Sequence, residues 1–186
     1  MKKTDLEVIL GMNKVFNSFL LLTVFLSISF AQIKVGDDAP TFFIRDLNEK
    51  KFFLSDTLEL HKPIVLSFFA TWCAPCKIEM PILDTLSREY SDVHFYLINV
   101  SGLTQGSAKL KEDPIKVQEL ITKLGISLPV LMDKYGKIAE KYEVKSLPRL
   151  VVIDTKGKLH YIHDGYKKGD ETKLKDILSE LAVVKE

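Results

Sequence analysis

The sequence from residue 32 onward predicts an α/β fold with a central mixed β-sheet flanked by helices. Short β-rich runs alternate with stretches of helical periodicity, which is the pattern of layered α/β domains. Residues 63–70 form a nearly continuous apolar run, as expected for a central strand that is covered on both faces. Residues 147–154 and 158–163 flank the turn residues 155–157 and predict an antiparallel hairpin. Parallel and antiparallel strands are therefore expected in one sheet.

The first part of this region predicts three further elements. Residues 41–44 and 51–54 indicate an added N-terminal β-hairpin. Residues 74–90 predict a helix with a kink at Pro81. Residues 93–100 predict the second central strand. The apolar positions at helical spacing in the predicted helix are Ile78, Ile82, Leu83 and Leu86.

The second part begins with residues 101–113, which are polar and unpatterned and indicate an insert after the second central strand. Asp113 is expected to cap a helix that starts with Pro114 and ends at Gly125. Asp170 is expected to cap the last helix. The apolar stripes of these two helices are Val117, Leu120, Ile121 and Leu124, and Leu174, Ile177, Leu178 and Leu181.

The N-terminal segment has the pattern of an export signal. Residues 15–31 are mostly apolar and end in the small residues that a signal peptidase recognises, with cleavage after Ala31. Residues 1–31 are therefore predicted to be a signal peptide, with an uncleaved membrane anchor as the alternative, and a start at Met12 fits the same pattern. Residues 32–186 are expected to form a single domain in the periplasm or on the extracytoplasmic face of the membrane.

Composition narrows the classes of function. The 186 residues include 26 Lys and Arg and 25 Asp and Glu, without a long basic run, so no nucleic-acid partner is expected. The chain has two cysteines, too few for a disulfide-rich scaffold, a four-cysteine zinc site or an iron–sulfur site. The cysteine pair is therefore interpreted as a reactive pair rather than a structural disulfide.

Cys73 and Cys76 follow the predicted central strand directly and open the next helix. The first sulfur then lies among the unpaired N–H groups of a helix N-terminus, which favour the thiolate. Cys73 is therefore expected to attack disulfides, and the less accessible Cys76 to resolve the mixed disulfide. Ala74 and Pro75 carry no positive charge, which favours a low reduction potential and disulfide reduction. Trp72 is expected to shield the attacking sulfur or to pack at the strand end.

Other uses of the cysteine pair fit the residues less well. Covalent haem attachment requires a His after the second cysteine, and Lys77 stands there. A structural disulfide without catalysis remains an alternative. The sequence predicts no metal, and no cofactor other than a redox-active Cys73–Cys76 disulfide. No two histidines have the spacing of paired zinc ligands; they are His61, His94, His160 and His163.

The run from Phe68 to Pro81 resembles the active-site segment of the TlpA/ResA group of exported thioredoxin-like reductases. Its pattern is Cys-x-x-Cys-x-x-Glu-x-Pro, in which the glutamate is Glu79. The resemblance extends over residues 35–181. It implies a thioredoxin-like fold with an added N-terminal hairpin and an insert.

The same resemblance implies a substrate-binding surface. Pro148 takes the position of a cis-proline that faces the disulfide, and the backbone at Leu147 would pair with an extended substrate. Trp72 and Pro75 are expected to belong to this surface. Arg149 stands where thioredoxins usually have a smaller polar residue, and is expected to bring charge near the groove.

A proton-transfer role for Glu79 is also implied. Ser67 occupies the position at which cytoplasmic thioredoxins have a buried Asp that moves protons, and the resemblance transfers that role to Glu79. A carboxyl buried beside two sulfurs should have a raised pKa and should accept the proton of Cys76 during resolution. A solvated helix residue without this role is the alternative.

The function expected from these features is that of an enzyme, an extracytoplasmic thiol–disulfide oxidoreductase. Its substrates would be exported disulfide-containing proteins, for example apocytochrome c during cytochrome c maturation, and its electrons would come from a membrane thiol donor. A disulfide oxidase or isomerase is the main alternative. A peroxiredoxin-like peroxidase is disfavoured because Cys73 lacks the Pro-x-x-x-Thr-x-x-Cys setting. A non-catalytic metal or haem chaperone is disfavoured because only two soft ligands are available.

Overall fold

The computed structural model describes residues 32–105, 108–109 and 111–183. The predicted signal peptide, residues 1–31, and the alternative start at Met12 lie outside the described residues. Ile33–Glu186 form one compact unit. Within the described part of the chain, no helix has the length and apolar character needed to span a membrane.

The described residues contain nine strands and five helices. The strands are β1 (Phe43–Arg45), β2 (Lys51–Phe53), β3 (Ile64–Phe69), β4 (His94–Val100), β5 (Thr104–Gln105), β6 (Ala108–Lys109), β7 (Val130–Asp133), β8 (Arg149–Ile153) and β9 (Leu159–Asp164). The helices are α1 (Leu54–Leu58), α2 (Cys76–Glu89), α3 (Pro114–Leu124), α4 (Lys137–Lys141) and α5 (Asp170–Val183).

Five of the strands form the central mixed sheet, in the order β7-β4-β3-β8-β9. β3 pairs in parallel with β4 and antiparallel with β8. All six residues of β3 are buried, because hydrophobic clusters cover both faces of the sheet. The mixed sheet and its fully covered central strand confirm the predicted fold class.

The added N-terminal hairpin is also confirmed. β1 and β2 pair antiparallel, and the Asp46 side chain accepts hydrogen bonds from the Asn48 and Lys50 N–H groups in the turn. The Leu47 N–H donates to the Val130 carbonyl at 2.9 Å and so joins the hairpin to edge strand β7. The backbone of the hairpin is therefore joined to the sheet at edge strand β7.

Helix α3 begins and ends as its sequence predicts. The Asp113 side chain accepts from the Ile115 N–H at 3.0 Å, Pro114 is the first helical residue, and Gly125 ends the helix with a φ of 65°. A left-handed conformation at this position favours glycine, which has no Cβ. Helix α5 starts at Asp170 itself rather than after it.

One detail differs from the sequence-based expectations. Ile78, expected in the apolar stripe of α2, is 59% exposed. Helix α2 contains Pro81 within one element from Cys76 to Glu89, and the kink expected there stays a prediction. The insert after β4 contains the antiparallel pair of β5 and β6, which was not predicted. Strand β7 and helices α1 and α4 were not predicted.

Candidate active site

Cys73 and Cys76 form a disulfide at the start of α2, immediately beyond the central strand. Cys73 lies in the turn after β3, where its N–H donates to the Ala70 carbonyl at 3.1 Å. The Cys76 N–H donates to Cys73 Sγ at 3.2 Å. The attacking sulfur is thus in contact with a backbone donor at a helix N-terminus, as the sequence predicts.

The two cysteine residues are both buried and differ slightly in exposure. Cys73 is 4% exposed and Cys76 is not exposed at all. Between them, Ala74 is exposed and Pro75 is half-buried at the N-cap of α2. This order of exposure is the one expected if Cys73 meets the substrate and Cys76 resolves, and these two roles stay predictions.

Glu79 lies one turn beyond Cys76 in α2 and is 4% exposed. Its carboxylate Oε2 accepts a hydrogen bond from the Ser67 hydroxyl of β3 at 2.7 Å. The pKa of Glu79 is raised to about 7, chiefly by burial; the Ser67 hydrogen bond opposes this rise, and the negative charge of Asp170 adds to it. Near neutral pH this carboxyl can therefore both accept and release a proton.

A small cavity of about 10 Å³ lies against Glu79 and has room for about one water molecule. Polar side chains from the end of β9 and the start of α5 line it together with apolar residues of α2. His163 and Asp170 pair there at 3.0 Å, and the Tyr166 hydroxyl donates to Glu171 at 3.0 Å. These partly exposed polar groups line the cavity beside the buried carboxyl.

The residues predicted to bind substrate lie in two loops. Trp72 is half-buried, and it packs against the hydrophobic cluster that contains both cysteines. Leu147 is half-buried and packs against the same cluster, and the Leu147–Pro148 peptide bond is cis, as the resemblance implies. The Gly165 N–H donates to the Pro148 carbonyl at 2.7 Å and ties this loop to the end of β9. The structure leaves the roles of these residues as predictions.

The charge that Arg149 was expected to bring near the groove is paired with a carboxylate. Its side chain is 8% exposed, and its Nη1 donates to both carboxylate oxygens of Asp164 at 2.8 Å. Arg149 and Asp164 lie opposite each other in the β8–β9 register, so the pairing of the two strands brings them together. The positive charge is neutralised within the sheet.

Glu112 was not singled out in the sequence, although its carboxylate contacts the active-site loop. It is 6% exposed and accepts hydrogen bonds from the Thr71 N–H at 2.8 Å and from the Thr71 hydroxyl at 3.2 Å. Thr71 lies two residues before Cys73, and Glu112 lies in the insert. A charged residue inside a polar stretch carries no local signal for such a contact, because the two residues are 41 positions apart.

The fold and the Cys-x-x-Cys disulfide define a thioredoxin-fold thiol–disulfide oxidoreductase. The AhpC/TSA family model matches residues 35–162, and the chain belongs to this family. It is 35% identical over 144 residues to the thioredoxin-like protein YneN of Bacillus subtilis, covering 76% of this chain and 79% of YneN. It is 33% identical over 128 residues to the thiol-disulfide oxidoreductase ResA of Bacillus thuringiensis, covering 69% of this chain and 68% of ResA.

A solved structure supports the same fold. It is described as a putative thiol:disulfide interchange protein DsbE from Chlorobium tepidum, and it superimposes with a TM-score of 0.70. The match covers 81% of this chain and 99% of that chain at 22% identity. The resemblance to the ResA group seen in the sequence is thus confirmed by the relatives, and the fold by this structure.

Proposed function

We propose that this oxidoreductase acts outside the cytoplasm and reduces disulfides of exported proteins. One observation carries the direction of the reaction: among the described residues, the only hydrogen bond to Cys73 Sγ comes from the Cys76 N–H. Strong disulfide oxidants owe their high potential to a stabilised reduced form. Here no side chain between the cysteines adds to that stabilisation, because the intervening residues are Ala74 and Pro75. The reduced form is therefore a ready electron donor.

The reaction follows from the accessibility of the two sulfurs. The Cys73 thiolate attacks one sulfur of the substrate disulfide, and the other substrate sulfur leaves as a thiolate that takes a proton from water. Cys76 then attacks Cys73 Sγ, while the Glu79 carboxylate takes the proton of the Cys76 thiol. The second substrate sulfur leaves as a thiolate and takes a proton from water, so the substrate departs as a dithiol with two more electrons, and the protein holds the Cys73–Cys76 disulfide. A thiol donor at the membrane returns the two electrons.

An extended substrate would dock beside Leu147 and Pro148, in the loop that lies next to the loop of Trp72. The half-buried Leu147 and Trp72 both pack against the cluster containing the cysteines, which supports a shared binding surface beside Cys73. Exposed Ala74 and Ile78 extend the apolar character of this surface along the first turn of α2. An extended segment with apolar side chains is the class of substrate that such a surface suits.

The location and the substrates rest on sequence and relationship. The apolar stretch of residues 15–31 has the pattern of an export signal, and the relatives include proteins named ResA. Apocytochrome c is the proposed substrate, and a membrane thiol protein the proposed electron donor. A fusion of residues 1–40 to a phosphatase that is active only after export tests the location. Activity in whole cells supports it, and activity only after lysis contradicts it.

The reduction potential tests the direction. Equilibration of the protein with dithiothreitol redox buffers, followed by alkylation and mass analysis, measures the ratio of dithiol to disulfide. We expect a value near that of thioredoxin, about −270 mV. A value near the oxidising end of the range, about −120 mV, contradicts the reductase function and favours the oxidase.

An oxidised peptide with the sequence Cys-x-x-Cys-His tests the substrate. The reduced protein should reduce its disulfide faster than that of a matched peptide in which Ala replaces His. The Cys76→Ser protein should form a mixed disulfide with the same peptide, because Cys73 attacks and cannot be released. Equal rates on both peptides would remove apocytochrome c as the preferred substrate, while the reductase function would stand.

A further inference from the structure

Glu112 is a buried carboxylate that the dithiol reaction does not use. It accepts three hydrogen bonds: two from Thr71, and one from Asn99 Nδ2 at 2.9 Å. Its own N–H donates to the Ser101 hydroxyl at 3.0 Å. Asn99 and Ser101 lie in β4 and directly after it, so the carboxylate is anchored to the central sheet. Three donors on one carboxylate make a well-fixed charged group.

The group held by Glu112 is the backbone of the turn that carries the attacking cysteine. Thr71 follows Ala70 in this turn, which is closed by the hydrogen bond from the Cys73 N–H to the Ala70 carbonyl. Both the N–H and the hydroxyl of Thr71 bond to the carboxylate, so the residue can neither shift nor rotate without breaking a charge-assisted hydrogen bond. The next element along the chain is α2, whose Cys76 N–H contacts Cys73 Sγ.

We propose that Glu112 is a positioning residue for the dithiol: it holds the Ala70–Cys73 turn so that Cys73 Sγ stays on the N–H donor at the start of α2. Thiolate character at Cys73 depends on that contact, because it is the sulfur's only hydrogen bond among the described residues. The inference rests on the dithiol chemistry of the family and is independent of the reductase direction proposed above.

Two other roles of Glu112 lead to different outcomes. A purely structural tether would stabilise the fold without changing the reactivity of Cys73. A direct effect of the negative charge would disfavour the Cys73 thiolate, so removing the charge would speed the reaction. A positioning role predicts the opposite change in rate: losing the tether weakens the contact between Cys73 Sγ and the Cys76 N–H, so the reaction of Cys73 slows.

Two substitutions of Glu112 separate position from charge. Glu112→Gln removes the charge and keeps the shape, so its carbonyl can still accept from the Thr71 N–H. With that carbonyl at the Oε2 position, the new Nε2 faces the Thr71 hydroxyl, whose oxygen can accept a hydrogen bond from it. Glu112→Ala removes both the charge and the tether.

A matched control lies further along α2, in its second half. Asp84 is 2% exposed and accepts from the Ser127 N–H at 2.7 Å and the Ser127 hydroxyl at 2.8 Å. This repeats the contact of Glu112 with Thr71, one residue held by both its N–H and its hydroxyl, but away from the cysteines. Asp84→Ala therefore reports the cost of losing such a tether without moving the active-site turn.

The test is the alkylation rate of Cys73 in the reduced full-length protein, followed by mass spectrometry between pH 5 and 9, together with thermal unfolding. We expect Glu112→Ala to lower the rate at pH 7 by about tenfold, the effect of one lost charged hydrogen bond. The pH midpoint of the rate should rise with it. Glu112→Gln and Asp84→Ala should stay within about twofold of the parent protein.

Two results would overturn the proposal. If Glu112→Ala lowers the unfolding temperature but keeps the parent alkylation rate, the tether is only structural. If Glu112→Ala and Glu112→Gln both react faster, the charge acts directly. Should Glu112→Ala fail to fold, Thr71→Val replaces it in the test, because this substitution removes only the hydroxyl contact. The weaker tether should slow alkylation two- to threefold, which is about half the effect of a full hydrogen bond on a logarithmic scale. Alkylation needs no disulfide substrate, so a result that overturns the positioning role of Glu112 is distinct from one that overturns the reductase function.

Discussion

Helix α2 holds two buried carboxyls, one in its first turn and one in its second half, and their pKa values are shifted in opposite directions. Glu79, near the cysteines, is 4% exposed, and burial raises its pKa to about 7. Asp84, five residues further along, is 2% exposed, yet its pKa is lowered: burial raises it, and the hydrogen bonds from Ser127 and Arg88 outweigh that effect. Equal burial therefore does not lead to equal chemistry.

The number of donors explains the difference. Glu79 receives one hydrogen bond, from the Ser67 hydroxyl, whereas Asp84 receives the Ser127 N–H, the Ser127 hydroxyl and the Arg88 guanidinium. Few donors leave a carboxyl able to change its charge, and many donors hold it ionised. The first turn of the helix is thus a reactive end that can exchange protons, and the segment around Asp84 in its second half, called the braced end below, maintains the structure.

The largest expected effect is at the reactive end. Cys73→Ser should lower the rate of insulin disulfide reduction at least about thousandfold, because no other accessible thiol can attack. Cys76→Ser is the matched control, since it also lacks the disulfide but keeps the attacking sulfur. It should accumulate a mixed disulfide in about stoichiometric amount, seen by non-reducing electrophoresis. If Cys73→Ser still reduces insulin, or if Cys73→Ser rather than Cys76→Ser accumulates the mixed disulfide, the roles assigned to the two cysteines are wrong.

The next effect is on the pH dependence of stability. The folded-state pKa of Glu79 lies above its ordinary value of 4.5, so its favourable contribution is complete below pH 4.5 and is lost as pH rises to about 7. A shift of this size corresponds to about 3 kcal/mol.

Urea unfolding of the oxidised parent and of Glu79→Gln, at several pH values, measures this contribution. The free energy of unfolding of the parent should fall relative to that of the variant by about 3 kcal/mol between pH 4.5 and 7.5. His163, Tyr166, Asp170 and Glu171 line the same cavity and are present in both proteins. A difference that does not change with pH would mean that Glu79 is charged throughout.

At the braced end, Asp84→Ala should destabilise the fold by about 2 kcal/mol, because two hydrogen bonds to a charged group and a partly exposed ion pair are lost. Disulfide reduction should stay within about twofold of the parent rate at a temperature where both proteins are folded. Denaturant unfolding and the insulin assay check the two statements. A large loss of activity in the folded variant would show that the two ends are coupled.

The smallest effect is on the rate of Glu79→Gln at pH 7. Resolution by Cys76 should slow about tenfold, because the buried thiol loses its proton acceptor, and the variant should lose the rise of rate with pH around 7. Stopped-flow measurement of release of a mixed disulfide checks this. Glu79→Asp, which keeps a shorter carboxyl, should recover part of the rate, and an unchanged pH–rate profile would end the proton-transfer role.

Local patterns were sufficient to predict much of this helix and its surroundings. A continuous apolar run before Cys73 predicted the buried strand, and the spacing of one turn placed Glu79 near Cys76. The caps of α3 depend on Asp113, Pro114 and Gly125 alone, so the sequence predicts them directly.

Contacts between distant segments could not be predicted in this way. Glu112 meets Thr71 across 41 residues, and Asp84 meets Ser127 across 43, through the pairing of separate elements. The pairing of Arg149 with Asp164 was also missed, because only the β8–β9 register brings these two residues opposite each other. Strand β7 has four residues, too few for periodicity to distinguish from a loop.

The most direct test of the difference between the two ends is a carboxyl ¹³C NMR titration of the oxidised protein. The Glu79 signal should titrate with a midpoint near 7, and the Asp84 signal with a midpoint below its ordinary value of 3.8. A midpoint near 4.5 for Glu79 would contradict the account, because the carboxyl beside Cys76 would then be charged whenever the enzyme works.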